Sequence, residues 1–340
     1  MSNFKNFTLN IPSLWEQDWS EAISHNVDAA RILVVFQARA ANMLRDIDQI
    51  EATPERVAWL SIWMKTFAAL ENAQAALERS SLYLLRILSR IAFEANLHME
   101  IISEPAIQLF SKVRVSHKVT ITDRSRRYVW SETADRLRGY TAWCLWNDRD
   151  YYKELLNRRT LNGVWDPDPA RQILADKDKL RRYEAIFGPL DVATEKRELE
   201  KGREHAEKHF RKKLKRVEVW LEDPSLLRWK DKLQRLECSK KRPMPFFDLF
   251  HDESTRSIPK RLKDIGLRFA YCTYMQGSML IHGSTIDQLL HVGESEIYPS
   301  FLGTHDACES EARSVGDSCN NTLALLYCLQ ERVWDYRTDC

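Results

Sequence analysis

Residues Leu82–Ile102 read LYLLRILSRIAFEANLHMEII and are apolar on nearly every helical face. A helix of that kind is normally central, because no side of it suits water. Its few polar groups would then be buried and would need partners. Arg90 and Glu94 stand four apart and share one face of this helix. A charged pair in such surroundings is costly unless both groups are satisfied. It serves either as an ion pair that fixes helix packing or as a functional pair lining a pocket. Arg86, one turn earlier, extends either version.

Working outward from this stretch, Ile32, Val35, Met43, Leu44 and Ile47 recur at helical spacing and predict a helix over about Val27 to Ile50. Thr53-Pro54-Glu55 is a start signal: a hydroxyl cap, Pro at the first helical position and an acid in the first turn. The periodicity that follows runs to about Ile102, too long for one ordinary helix, so a break is expected near Asn72 or Ser80. Val113–Arg127 is β-branched and basic and reads as a loop or short extended piece. A helix is expected from Ser131 to about Arg159, rich in aromatics: Tyr140, Trp143, Trp146, Tyr151 and Tyr152. Asp168-Pro169 opens another, which Gly188-Pro189 ends. Glu195–Glu222 is a charge-dense helical arm, and Lys240–Pro245 a basic linker. A strongly amphipathic helix follows over about Pro259–Ile281, a short one after His282-Gly283-Ser284, and a last one over roughly Asp317–Tyr336.

These elements predict an all-α helical bundle. Residues 1–30 form an N-terminal extension, 31–290 the helical core with the charged arm at about 191–222 inserted, and 291–340 a C-terminal helix packing on that core. Composition agrees. Ten Gly and eleven Pro in 340 residues supply few turns, which disfavours sheet-rich folds. Hydrophobic residues at 44% support a core, and 29% charged residues can solvate long helices.

Fifty-one basic and 49 acidic residues leave a net charge of +2, which is no polybasic nucleic-acid coat. Basic clusters occur at Arg124/Arg126/Arg127, Arg211/Lys212/Lys213/Lys215/Arg216 and Lys240/Lys241/Arg242. They read as solvated faces, or as a nucleic-acid groove if two of them converge with the aromatic-rich helix. The seven Cys are odd in number, widely spaced and without a CxxC, so they read as reduced thiols; Cys272, between Ala270 and Tyr274, reads as core. No GxGxxG, P-loop, HExxH or GxSxG occurs, which removes most of the case for nucleotide hydrolysis, dehydrogenation and serine hydrolysis. No cofactor and no metal is expected. Met1–Trp19 lacks a secretory pattern and no apolar run reaches 18 residues, so a cytoplasmic protein outside the membrane is expected.

Two further polar patterns stand out. Tyr274, Ser278 and His282 lie at four-residue steps and form a slanting stripe on the amphipathic helix, with Gly277 admitting a close approach beside Ser278. Arg203 and His209 fit the loose Arg, four to six residues, His spacing of HEPN ribonucleases, on the charge-dense arm where such matches arise readily.

LLRILSRIAFEANLHMEII resembles the Arg-Ser-Leu-Phe-Glu helix of a widespread bacterial helical family known only as a domain of unknown function. RLKDIGLRFAYCTYMQGSMLIHGSTIDQLL resembles that family's second signature, Tyr followed by Ser and then His-Gly or His-Pro at four-residue steps. The resemblance covers roughly residues 30 to 290. It implies that Arg90, Glu94, Tyr274, Ser278 and His282 meet in one pocket between two adjacent central helices. The family is similar in layout to HEPN-type bundles. The implied activity is a metal-independent endoribonuclease of bacterial antiphage defence or a toxin–antitoxin system. His282 would be the general acid/base and Arg90 the phosphorane-stabilising cation; Glu94 would orient Arg90, and Tyr274 and Ser278 would position phosphate. Members often carry an Arg just after the Tyr, where this chain has Met275, so Arg90 would supply the cation. The rival reading is a non-catalytic interaction or sensor subunit in which the same five residues fix helix register. RNA, a protein partner or a second copy of the chain are the expected partners.

Overall fold

The computed structural model describes residues 8–9, 29–45, 50–116, 122–157, 175–189, 191–239, 246–250, 290–292, 297–299 and 305–334. Among them are eight helices: α1 (Ala29–Asn42), α2 (Pro54–Glu78), α3 (Leu82–Ser116), α4 (Asp123–Leu156), α5 (Lys177–Phe187), α6 (Val192–Leu221), α7 (Leu227–Ser239) and α8 (His305–Trp334). Among the described residues, sheet is confined to two short antiparallel pairs. In one, β1 (Thr8–Leu9) and β2 (Ile50–Glu51) set Thr8 opposite Glu51. In the other, β3 (Leu290–Val292) and β4 (Ile297–Pro299) set His291 opposite Tyr298. The chain is an all-α helical bundle, as its scarcity of turn residues implies. Its described residues fall into two compact units, Ala142–Arg235 and Phe4–Thr141 with Leu236–Cys340.

The larger unit is built on α1, α2, α3 and α8. Helix α8 packs against all three others, and α2 packs against α1 and α3. Helix α2 starts where its sequence says it should: the Thr53 side chain accepts from the Arg56 N–H and Pro54 occupies the first turn. It is buried on more than one face, with Trp59, Ile62, Trp63 and Leu70 fully inside. Each indole N–H reaches a neighbouring helix, Trp59 to the Leu326 carbonyl and Trp63 to the Ala40 carbonyl, both at 3.0 Å. Buried Gln37 is satisfied by the Leu70 carbonyl and Gln74. The chain turns between α2 and α3 at Ser80, whose φ of 50° is left-handed. There Ser81 N–H bonds the Ala76 carbonyl and Ser80 N–H the Leu77 carbonyl, the pattern that closes a helix end.

The Leu82 helix packs against α2 and α8, with Leu85, Met99 and Ile101 fully buried, but Leu84 and Ile91 are exposed, so one side of it faces water despite its apolar sequence. Three further expectations are corrected. Residues 113–116 and 123–127 are helical rather than extended: α3 runs on to Ser116, and α4 starts at Asp123 behind Thr122, whose hydroxyl accepts from the Ser125 N–H. Helix α1 stops at Asn42, with Gln330 donating to the Met43 carbonyl at 2.7 Å beyond it. Helix α8 begins at His305, twelve residues before Asp317, because Cys308, Ala312, Val315 and Cys319 are small groups that pack at helical spacing.

Helix α3 passes through Pro105. Proline removes the N–H that would bond the carbonyl four residues back, here Ile101. Arg136 of α4 donates to that carbonyl and to Glu104 at 2.7 Å, with its guanidinium over the Phe250 ring. A side chain from another helix thus replaces the missing backbone donor.

The smaller unit holds the C-terminal part of α4 with α5, α6 and most of α7. Asp176 and Asp191 cap α5 and α6 by accepting backbone N–H groups. Hydrogen bonding holds both carboxyls below their usual range: the Lys179 N–H is the main cause for Asp176, and for Asp191 it is the Thr194 hydroxyl, which donates to the same carboxylate. Gly188, at φ 90°, ends α5 as expected. Between α6 and α7 the buried Asp223 carboxylate accepts from the Ser225 N–H and hydroxyl, making a tight turn. The expected helix start at Asp168-Pro169, the linker Lys240–Pro245, the helix Pro259–Ile281 and the turn His282-Gly283-Ser284 lie outside the described residues.

Candidate active site

Arg90 and Glu94 lie on one face of α3, as their spacing requires. Arg90 Nε donates to Glu94 Oε1 at 3.0 Å; the Arg90 side chain is 16% exposed and that of Glu94 40%. The carboxylate faces water while the guanidinium is largely packed in, which orients the cation from its solvent side. Arg86 lies one turn earlier, its Nε buried and without a hydrogen-bond partner among the described residues. Ser89, on the same helix, is buried against α8, where its hydroxyl donates to the Glu311 carbonyl at 3.5 Å. Tyr274, Ser278 and His282 lie outside the described residues.

Arg203 and His209 do not form a pair. Six residues along a helix is a rotation of about 600°, so the two side chains leave α6 about 120° apart. Arg203 is half-buried and His209 exposed, its ring against Phe210 at 5.6 Å.

Farther along α3, His98 sits among rings. Tyr140 and Phe246 lie 5.3 and 5.2 Å from it, ring centre to ring centre. Part of the residue reaches solvent but Nδ1 is buried. Burial, with a smaller contribution from the Lys65 ammonium, pushes its pKa down to about 3. A neutral imidazole in that setting is a packing group. Lys65 Nζ donates to Tyr140 Oη at 3.0 Å. Cys319 is likewise inert: burial pushes its thiol up, away from thiolate chemistry. None of the five described cysteines is in a disulfide; Cys272 and Cys340 lie outside the described residues. Among the described residues no His, Cys, Asp and Glu group is placed to hold a metal ion, and no helix is long and apolar enough to cross a membrane.

Of the basic clusters, Arg124, Arg126 and Arg127 are exposed at the start of α4, and Lys240/Lys241/Arg242 lie outside the described residues. Lys215, from the cluster on α6, lines a cleft together with Arg149 and Lys153 from the aromatic-rich helix α4. Those two α4 residues were not singled out from sequence. Their four-residue spacing within WNDRDYYK was the available signal.

Comparison with protein-family models, with curated proteins and with solved structures gives no match.

Proposed function

We propose that this chain is a HEPN-like, metal-independent endoribonuclease of a bacterial antiphage or toxin–antitoxin system, acting with a protein partner or a second copy of itself. The observation that carries the reading is the Arg90 guanidinium, largely buried on the central helix and held at 3.0 Å by Glu94. A cation fixed before substrate arrives is what transition-state charge stabilisation requires, since it needs no reorganisation as charge develops. In the reaction the ribose 2′-oxygen attacks phosphorus, the 2′-proton passes to a base, and the bond to the 5′-oxygen breaks, leaving a 2′,3′-cyclic phosphate. His282 takes or returns the proton. Arg90 meets the extra negative charge on the phosphorane, Glu94 is its positioning residue, and Tyr274 and Ser278 hold phosphate oxygens.

A second reading is a non-catalytic interaction or sensor subunit. It is favoured by the fact that Arg90 and Glu94 pair within one helix, α3, that packs on α2 and α8. The test is incubation with tRNA and total RNA in EDTA, wild type beside His282→Ala and Arg90→Ala. Cleavage by wild type that is lost in both folded variants is expected. No cleavage by wild type, with Arg90→Ala melting several degrees lower, would replace the enzyme reading with the structural one.

A further inference from the structure

We infer that Arg86 is a second phosphate-binding residue of the Arg90 site, holding the phosphate next to the one that Arg90 serves. The inference rests on the proposed ribonuclease for its substrate class and extends that site by one residue. Arg86 stands one turn before Arg90 on α3, half-buried, with its Nε wholly covered. Four residues advance a helix by about 6 Å and turn it by about 40°. The two guanidinium groups therefore leave α3 on the same side, one turn apart.

Arg86 is set apart from other inward-lying arginines by what it lacks. Arg90 is held by Glu94, Arg136 by Glu104 and Arg149 by Asp150, and Arg56 donates to two carbonyls. Arg86 makes no hydrogen bond and no ion pair among the described residues. Glu311 of α8 comes near this turn, because its carbonyl accepts from Ser89 at 3.5 Å. Its Oε1 is also buried without a partner among the described residues, yet the two charges do not pair. A charged donor buried without an acceptor is costly. A like charge one turn away adds to that cost, and Glu94 offsets only one of the two cations. Helix packing gains nothing from such a group.

An oxyanion supplies the missing acceptor and relieves the repulsion. The planar fork of a guanidinium matches two phosphate oxygens, which makes phosphate the fitting class. Burial of Nε holds the Arg86 side chain close to its own turn, while Glu94 holds Arg90 to the next. Each cation thus keeps its own ligand about one helical turn from the other. Along a nucleic-acid strand a phosphate at Arg90 always has a neighbour, and Arg86 is the cation placed to meet it. The consequence is a preference for substrates with two adjacent phosphates over those with one.

The probes are 2′-O-methyl diuridylate, with one phosphodiester, and 2′-O-methyl triuridylate, with two. Neither has a free 2′-hydroxyl beside a phosphate, so neither is cleaved. Binding to the full chain is measured by calorimetry for wild type, Arg86→Gln, Arg86→Lys and Glu311→Gln. In wild type the triuridylate is expected to bind about tenfold tighter than the diuridylate, the size of one charge-assisted contact. In Arg86→Gln the two bind alike, and the triuridylate's slope of log K on log salt is shallower by about 0.7. Arg86→Lys keeps a charge and part of the gap, and Glu311→Gln keeps all of it. Arg86→Gln melts no lower than wild type, since it removes an unpaired charge. No gap in wild type, an undiminished gap in Arg86→Gln, its loss in Glu311→Gln, or Arg86→Gln melting several degrees lower would each overturn the assignment. So would competition by inorganic pyrophosphate as strong as that by triuridylate, which would mark a site for small anions. Cleavage of ordinary RNA in EDTA without the gap would remove Arg86 and leave the ribonuclease standing. The gap without cleavage would support Arg86 and count against the ribonuclease.

Discussion

At the scale of single residues, His98 gives the sharpest physical test. Its pKa of about 3 in the fold stands against 6.5 for an ordinary histidine. The unfolded chain therefore takes up a proton as pH falls through 6.5, while the folded chain does not. The contribution is complete above that pH and is lost as pH falls from 6.5 toward 3. The loss approaches about 1.4 kcal/mol per pH unit. The Lys65 ammonium and the Tyr140 and Phe246 rings face the imidazole. Denaturant melts at pH 7 and pH 5 should differ by about 2 kcal/mol more for the wild type than for His98→Phe. Equal losses in both would mean that His98 becomes charged within the fold.

At the scale of elements, α3 crossing Pro105 makes a prediction about a pair of residues. Arg136 donates to the Ile101 carbonyl that Pro105 leaves without a backbone partner. Arg136→Met should cost about 1–3 kcal/mol, the penalty for a buried acceptor left unmade. In a Pro105→Ala background the backbone N–H is restored, and the same substitution should cost less. The remainder reflects the Glu104 ion pair and the Phe250 contact. A double-mutant cycle by denaturant melts reads the difference directly, and additive costs would show that Arg136 does not stand in for the missing donor.

At the scale of the whole molecule, the larger unit is closed by residues from opposite ends of the sequence. Arg56, at the start of α2, donates to the Val333 carbonyl at 3.1 Å and the Glu51 carbonyl at 2.9 Å, with Trp334 alongside. A cation against the last carbonyls of α8 satisfies groups that a helix end leaves open and complements its dipole. Trp59 and Trp334 meet edge to face at 5.4 Å. Helix α8 also carries Val315, Cys319, Leu323 and Leu326 into the core. A chain stopped after residue 304 should therefore lose its cooperative thermal transition in circular dichroism, and a retained sharp transition would show that α1, α2 and α3 suffice. Arg56→Met is the milder test, expected to cost about 1.5–3 kcal/mol for hydrogen bonds from a charged donor.

What the sequence by itself determined is local. Thr53-Pro54 began α2, Gly188 ended α5, and the largely apolar character of Leu82–Ile102 foretold a helix that buries Leu85, Met99 and Ile101. Each depends on groups within a turn or two of one another. The same locality made the Arg90–Glu94 pair legible, since four residues on a helix bring two side chains together wherever the helix lies. Only the tertiary structure decided the rest. Helix α3 continued past Pro105 because a donor came from α4, and α8 began at His305 because its small polar-flanked residues found a core to fill. Arg149, Lys153, Lys215 and Lys230 became a cleft only once three helices had met. Groups tens of residues apart have no spacing rule, so their convergence is a property of packing and leaves no periodic trace in the chain.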